Sequence, residues 1–92
     1  MKRMPMKVLG VGLRRSGIGK NGKPYDFVEC CFAYKSRNME GVAAVTQIIP
    51  GETLDSMPLM PGITVDCLVS WSDYKPYVCA VVGLSNEVIA CE

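Results

Sequence analysis

Hydrophobic and polar residues alternate along most of this chain with the two-residue period of β-strands, and turn residues separate the alternating segments. No stretch shows a convincing 3.6-residue hydrophobic period, as a helix would. The segment 52–60 is expected to form a short helical turn or an irregular connection that crosses the fold. Five or six short strands at this spacing predict a small all-β barrel or sandwich. The predicted strands cover 7–13, 25–34, 42–49, 63–71 and 77–84, with a short further segment over 88–91.

The polar segment between the first two strands ends in Lys-Asn-Gly-Lys at 20–23. Asn-Gly between extended segments is a strong hairpin signal, because both residues tolerate the positive φ of a type I′ turn. We therefore predict a long basic β-hairpin with a type I′ turn at Asn21-Gly22. In the strand that follows, we expect Phe32 to lie in the core and the ring of Tyr25, at the mouth of the hairpin, to be exposed.

Composition indicates one globular domain over residues 1–92. Hydrophobic residues make up 49% of the chain and charged residues 21%, which excludes intrinsic disorder. The longest apolar runs, such as 78–84, fall far short of the roughly 20 residues of a membrane span. The basic start leads directly into a strand and not into the apolar region of a signal peptide. We therefore expect a cytoplasmic protein without a membrane partner.

The formal net charge of +1 conceals a strong asymmetry along the chain. Residues 1–37 carry nine basic and two acidic residues, or +7, whereas residues 38–92 carry one basic and seven acidic residues, or −6. Such asymmetry indicates a face that binds a polyanion, although a lopsided solvated surface is the alternative. An acidic half also leads to the hypothesis that neighbouring subunits attract one another head to tail.

Candidate catalytic and metal-binding residues are few. The chain has no histidine, and its five cysteines show no C-x-x-C spacing, so we expect reduced core or interface thiols. Cys30 and Cys31 point to opposite faces of a strand, and Asp26 and Glu29 suit salt bridges or solubility better than acid–base catalysis. The G-x-x-x-x-G-K pattern at 17–23 is followed by Pro24, where a phosphate loop needs Ser or Thr and a helix. We expect neither an enzyme nor a cofactor.

Basic and aromatic residues occur together in two places. Single-stranded nucleic acid is held by this combination, because cations follow the phosphates while flat rings stack on the bases. The alternative is that Phe27, Phe32 and Trp71 simply fill the core, and for Trp71 the sequence leaves the choice open. The hairpin carries Arg14, Arg15, Lys20 and Lys23 before Tyr25 and Phe27. In and next to the loop at 72–76 lie Trp71, Tyr74, Lys75 and Tyr77.

The hairpin residues resemble the DNA-binding wing of the single-stranded DNA-binding proteins of filamentous bacteriophages, the gene V protein family. The most specific part is Gly-Lys-Pro-Tyr at 22–25, preceded by Arg-Ser-Gly at 15–17 and Lys20, and followed by Phe27 and Glu29. Pro-Gly at 61–62 before an alternating strand is similar to a second family feature. The similarity covers residues 8–34 well and 58–82 loosely.

The resemblance implies a five-stranded antiparallel OB-like barrel with a protruding basic wing, which binds single-stranded DNA cooperatively as a homodimer. It implies phosphate contacts from Arg15, Lys20 and Lys23, a base stacked on Tyr25, and Phe27 touching DNA or supporting the wing. A second stacking ring would be either Tyr74 or Tyr77. This chain departs from the family in its later part, where few cations follow the wing, so further phosphate contacts would depend on Lys35, Arg37 and Lys75.

The sequence thus predicts a non-enzymatic, sequence-tolerant protein that coats and protects single-stranded DNA during replication of a phage or mobile element in a bacterial cytoplasm. Two alternatives stay open. An OB-like protein of this kind also suits RNA and translational repression. A protein-interaction module is the other alternative, with the acidic half or the segment Met57 to Met60 as its docking surface.

Overall fold

The structure, a computed structural model, describes residues 2–36, 40–73 and 75–86. The predicted all-β class is confirmed, and the segment 52–60 begins with a single short helix. The further strand expected over 88–91 lies outside the described residues. No helix among the described residues has the length and apolar character to cross a membrane. The elements are β1 (Lys2–Val11), β2 (Arg15–Ile18), β3 (Pro24–Lys35), β4 (Val42–Pro50), α1 (Glu52–Ser56), β5 (Thr64–Ser72) and β6 (Lys75–Leu84).

All six strands belong to one antiparallel sheet, in which β3 pairs with β1, β2 and β4. β4 pairs along one edge of β3, from Phe27 to Lys35, while β1 and then β2 pair along the other edge. β5 and β6 continue the sheet beyond β1. The first strand begins at Lys2 and not at the expected residue 7, because pairing with β5, from Lys2 opposite Val69, extends it.

The sheet has six strands and is open, so a closed five-stranded barrel is not confirmed. Its outer strands β4 and β6 nevertheless come together through one side chain. Gln47 Nε2 donates to the Val78 carbonyl at 2.9 Å, and Gln47 Oε1 accepts the Val78 N–H at 2.8 Å. The carboxamide therefore takes the place that a backbone peptide would occupy in a closed sheet, which satisfies Val78 without a continuous ladder.

The core lies on one face of the sheet, and alternation along β3 supplies its centre. Phe32 is fully buried, which confirms its predicted place. No polar or charged side chain is buried among the described residues, so hydrophobic burial dominates this face. The buried cluster contains Met6, Val8, Val28, Cys30, Phe32, Tyr34, Ile49, Leu59, Val65, Cys67, Val69 and Val78.

The predicted β2–β3 hairpin is confirmed, but its predicted type I′ turn is wrong. Gly19 accepts the Gly22 N–H at 2.9 Å and donates its own N–H to Lys23 O at 2.8 Å. Gly22 has a φ of +78°, whereas Asn21 keeps a negative φ, since Asp73 is the one non-glycine with positive φ in the described ranges. This is a type I turn followed by a left-handed glycine. Asn21 Oδ1 instead accepts the Lys23 N–H at 3.1 Å.

Candidate nucleic-acid interface

The wing is the hairpin formed by β2, the turn at 19–23 and the first four residues of β3. Its register places Arg15 opposite Phe27 and Gly17 opposite Tyr25. Because side chains alternate between the faces of a strand, these four residues share one face. One face of the wing therefore presents a guanidinium group beside two aromatic rings.

The Tyr25 ring is held in place by a glycine and a neighbouring ring. A Cβ on Gly17 would lie 2.8 Å from the Tyr25 hydroxyl oxygen and 3.1 Å from Cζ, so a larger residue would displace the ring. The ring centroids of Tyr25 and Phe27 are 5.8 Å apart at an interplanar angle of 40°. Tyr25 is 43% exposed while Phe27 is half-buried. The wing thus offers a supported but accessible ring.

Three cations of the wing have no carboxylate partner in the part of the chain that the structure describes. Lys20 and Lys23 are exposed in the turn, and Arg15 is exposed on β2. None of the three takes part in an ion pair within the described ranges. Their charges remain available to an anion in solvent, with Tyr25 and Phe27 on the same hairpin.

Arg14, the fourth cation predicted to bind nucleic acid, is instead bound to two carboxylates. Its Nε and Nη2 donate to Asp26 at 2.8 and 2.6 Å, and its Nη1 and Nη2 donate to Asp55 at 2.7 and 3.1 Å. These hydrogen bonds lower the pKa of both carboxyl groups and raise the pKa of Arg14. The salt bridge expected for Asp26 is confirmed, whereas Glu29 forms none in the part of the chain that is described.

Lys35, Lys75 and Tyr77, three other predicted contact residues, lie at the far end of the sheet from the wing. β5 runs antiparallel to β1, with Lys2 opposite Val69, so the β5–β6 turn projects beyond the start of β1 while the wing follows its end. A strand of ten residues spans about 33 Å. Lys35, Lys75 and Tyr77 are exposed residues of this far end. Arg37 and Tyr74 lie outside the described residues.

The structure of the far end also shows whether Trp71 is buried in the core or exposed, which the sequence left open. Its ring is 46% exposed and stands edge-on to Tyr34, with centroids 5.9 Å apart and an interplanar angle of 79°. Tyr77 is 57% exposed. Tyr25 is exposed as expected, although its contact with Gly17 covers part of the ring.

Two exposed apolar residues of the wing region escaped the sequence reasoning. Leu13 is 86% exposed between β1 and β2, and Ile18 is 75% exposed at the end of β2. Leu13 ends the predicted first strand, and Ile18 stands within the polar stretch that follows, where no periodicity distinguishes buried from exposed positions. They add apolar surface beside the cations, which suits contact with sugars or bases.

Two buried thiols fit the expected structural role of cysteine. Cys30 and Cys67 are fully buried and free, and burial raises the pKa of both, that of Cys67 to about 12. A thiol with such a pKa stays protonated at neutral pH and is a poor nucleophile. Cys79 is also free but is exposed on β6, so it is not a core thiol. Cys91 lies outside the described residues.

Comparison with known proteins identifies no relative. No protein-family model, no curated protein and no solved structure matches this chain. The case for a function therefore depends on the residues of the wing and on their geometry.

Proposed function

We propose that this protein binds single-stranded DNA without an enzymatic activity and with little sequence preference. It coats and protects the strand during replication of a phage or other mobile element in the bacterial cytoplasm. The observation that carries the proposal is the wing, in which Arg15, Lys20 and Lys23 have no carboxylate partner among the described residues and accompany the accessible ring of Tyr25.

In this proposal the wing cations contact phosphates and the rings contact bases. Phosphate contacts by Arg15, Lys20 and Lys23 release counterions from the strand, and this release favours binding at low salt. Tyr25 stacks on a base, which contributes about 1 to 3 kcal/mol. Because Gly17 and Phe27 already hold the ring, little side-chain freedom is lost when the base arrives.

The strand order supports an OB-like architecture, which we include in the proposal. β1 and β2 follow each other along the same edge of β3, so together they count as one interrupted strand. The sheet then has the five strands of an OB fold, a partly open barrel that binds oligonucleotides. The Gln47–Val78 hydrogen bonds lie where such a barrel comes nearest to closing.

The positions of the two basic and aromatic groups support a homodimer, or a filament on DNA, as part of the proposal. The wing and the far end with Lys35, Lys75 and Tyr77 project from opposite ends of β1. Association of subunits places the far end of one copy near the wing of another and gives the strand a longer continuous path. Cooperative binding is then the expected behaviour.

The test is a titration of the native protein with poly-dT, a matched RNA and a duplex at two salt concentrations. We expect preferential binding to poly-dT. With about four to six phosphate contacts, the log affinity should fall with log salt at a slope of about −3 to −4. Equal affinity for the duplex, or no retention of any strand at low salt, contradicts the proposal. Tighter binding to RNA assigns the wing to RNA.

A further inference from the structure

Arg14 connects three separate parts of the chain at the base of the wing. It lies between β1 and β2, while Asp26 belongs to β3 and Asp55 to α1. Four of its five N–H donors are used by the two carboxylates. We call Arg14, Asp26 and Asp55 the clamp.

The clamp packs against a glycine, whose lack of a side chain leaves space for the clamp residues. Gly51, at the start of α1, is buried, and its N–H donates to the Asp26 carbonyl at 3.1 Å. A Cβ on Gly51 would collide with the Asp26 carboxylate and would lie 2.7 Å from Arg14 Nε. The backbone of β3 and the start of α1 are thus joined both by a hydrogen bond and by the clamp.

Local charge opposes a phosphate contact at Arg14. One guanidinium faces two carboxylates, so the clamp carries a net charge of −1, and a phosphate would have to displace a charge-assisted fork. Arg15 is the next residue along the chain and forms no ion pair in the described ranges. Two adjacent arginines therefore have different surroundings, and those of Arg14 do not favour an anionic ligand.

Asp26 lies between Tyr25 and Phe27 on β3, and its carboxylate is on the opposite face of the strand from the two rings. We infer that Arg14 is a positioning residue, which holds this part of β3 against α1 and thereby sets the direction in which Tyr25 and Phe27 face the nucleic acid. The inference rests on the proposed function, and it replaces the phosphate contact that the sequence indicates for Arg14.

The decisive comparison is Asp55→Asn against Glu52→Gln. Both variants remove one negative charge from α1, but Glu52 forms no ion pair in the described part of the chain. If only the charge of α1 affected binding, both variants would bind single-stranded DNA as tightly as the native protein or more tightly. If Arg14 positions β3 through the clamp, Asp55→Asn should bind poly-dT about three- to fivefold more weakly than Glu52→Gln. Equal or tighter binding by Asp55→Asn overturns the inference.

Arg14→Lys supplies a second readout, because lysine keeps the charge and loses the double fork. We expect a similar loss of affinity with a salt slope unchanged from the native protein, since no phosphate contact is removed. Native affinity in Arg14→Lys, or a slope that is flatter by about one contact, overturns the positioning role.

Hydrogen exchange separates a failure of this inference from a failure of the proposed function. The Gly51 amide should exchange faster in Asp55→Asn and Arg14→Lys than in Glu52→Gln, with or without nucleic acid. If the native protein binds no strand, the proposed function fails and this exchange rate still tests the clamp. Unchanged exchange in both clamp variants shows that the ion pairs do not hold β3 against α1.

Discussion

The ring of Tyr25 lies across Gly17 on the neighbouring strand of the wing. The backbone register pairs the two residues, and the absence of a Gly17 side chain leaves the space that the ring occupies. Packing of an aromatic ring over a cross-strand glycine restricts the rotamers of the ring. The position of the proposed stacking residue therefore depends on the glycine at position 17.

Gly17→Ala should weaken binding to poly-dT by about 1 kcal/mol, because the new Cβ displaces a stacking ring. Ser16→Ala on the opposite face of β2 is the matched control and should bind like the native protein. Fluorescence titration of both variants measures the difference. Equal affinities would mean that the Tyr25 ring does not need its place over Gly17.

Tyr25→Ala should weaken binding by about 1 to 3 kcal/mol, because one base loses its stacking partner. Tyr25→Phe keeps the ring and should retain nearly the native affinity. Titration against poly-dT at fixed salt compares the two variants. A phenylalanine variant as weak as the alanine variant would assign the contribution to the hydroxyl group and not to the ring.

Lys20→Ala and Lys23→Ala should each make the slope of log affinity against log salt less negative by about 0.7, the effect of one phosphate contact on a single strand. Arg3→Ala is the control, since Arg3 is already paired with Asp66 at 3.0 Å. Titrations at four or more salt concentrations give the slopes. Unchanged slopes in both lysine variants would move the path of the strand away from the turn of the wing.

Gly51→Ala should destabilise the fold by about 1 to 3 kcal/mol, because its Cβ collides with the clamp. Gly83→Ala is the matched control, since a Cβ there meets nothing within 4 Å. Denaturant unfolding measures both variants. Equal stabilities would show that Arg14 and Asp26 move aside without cost.

Acid should weaken the clamp. Arg14 lowers the pKa of Asp26 and Asp55, so their contribution to stability is present above the ordinary carboxyl pKa of about 4 and is lost as pH falls through the lower folded values. The melting temperature of the native protein should therefore fall more steeply below about pH 4 than that of Arg14→Gln. Parallel curves for the two proteins would mean that the ion pairs do not stabilise the fold.

Local patterns were sufficient for the approximate positions of most strands and of the hairpin, but not for the start of β1 at Lys2. Alternation along β3 correctly placed Phe32 in the core, since successive side chains of a strand point to opposite faces whatever their partners are. The Asn-Gly signal located the turn but not its type. The extra residue between Gly19 and Lys23 made a type I turn with a left-handed Gly22 the better connection.

The sequence by itself determined the all-β class, the two-residue alternation and the cluster of cations beside Tyr25, because each depends on residues that are neighbours along the chain. Only the tertiary structure decided that Arg14 is bound to Asp55, 41 residues away, while adjacent Arg15 is free of ion pairs in the described ranges. It also placed the wing and the β5–β6 turn at opposite ends of β1. Contacts between distant residues depend on the path of the whole backbone, and periodicity carries no information about that path.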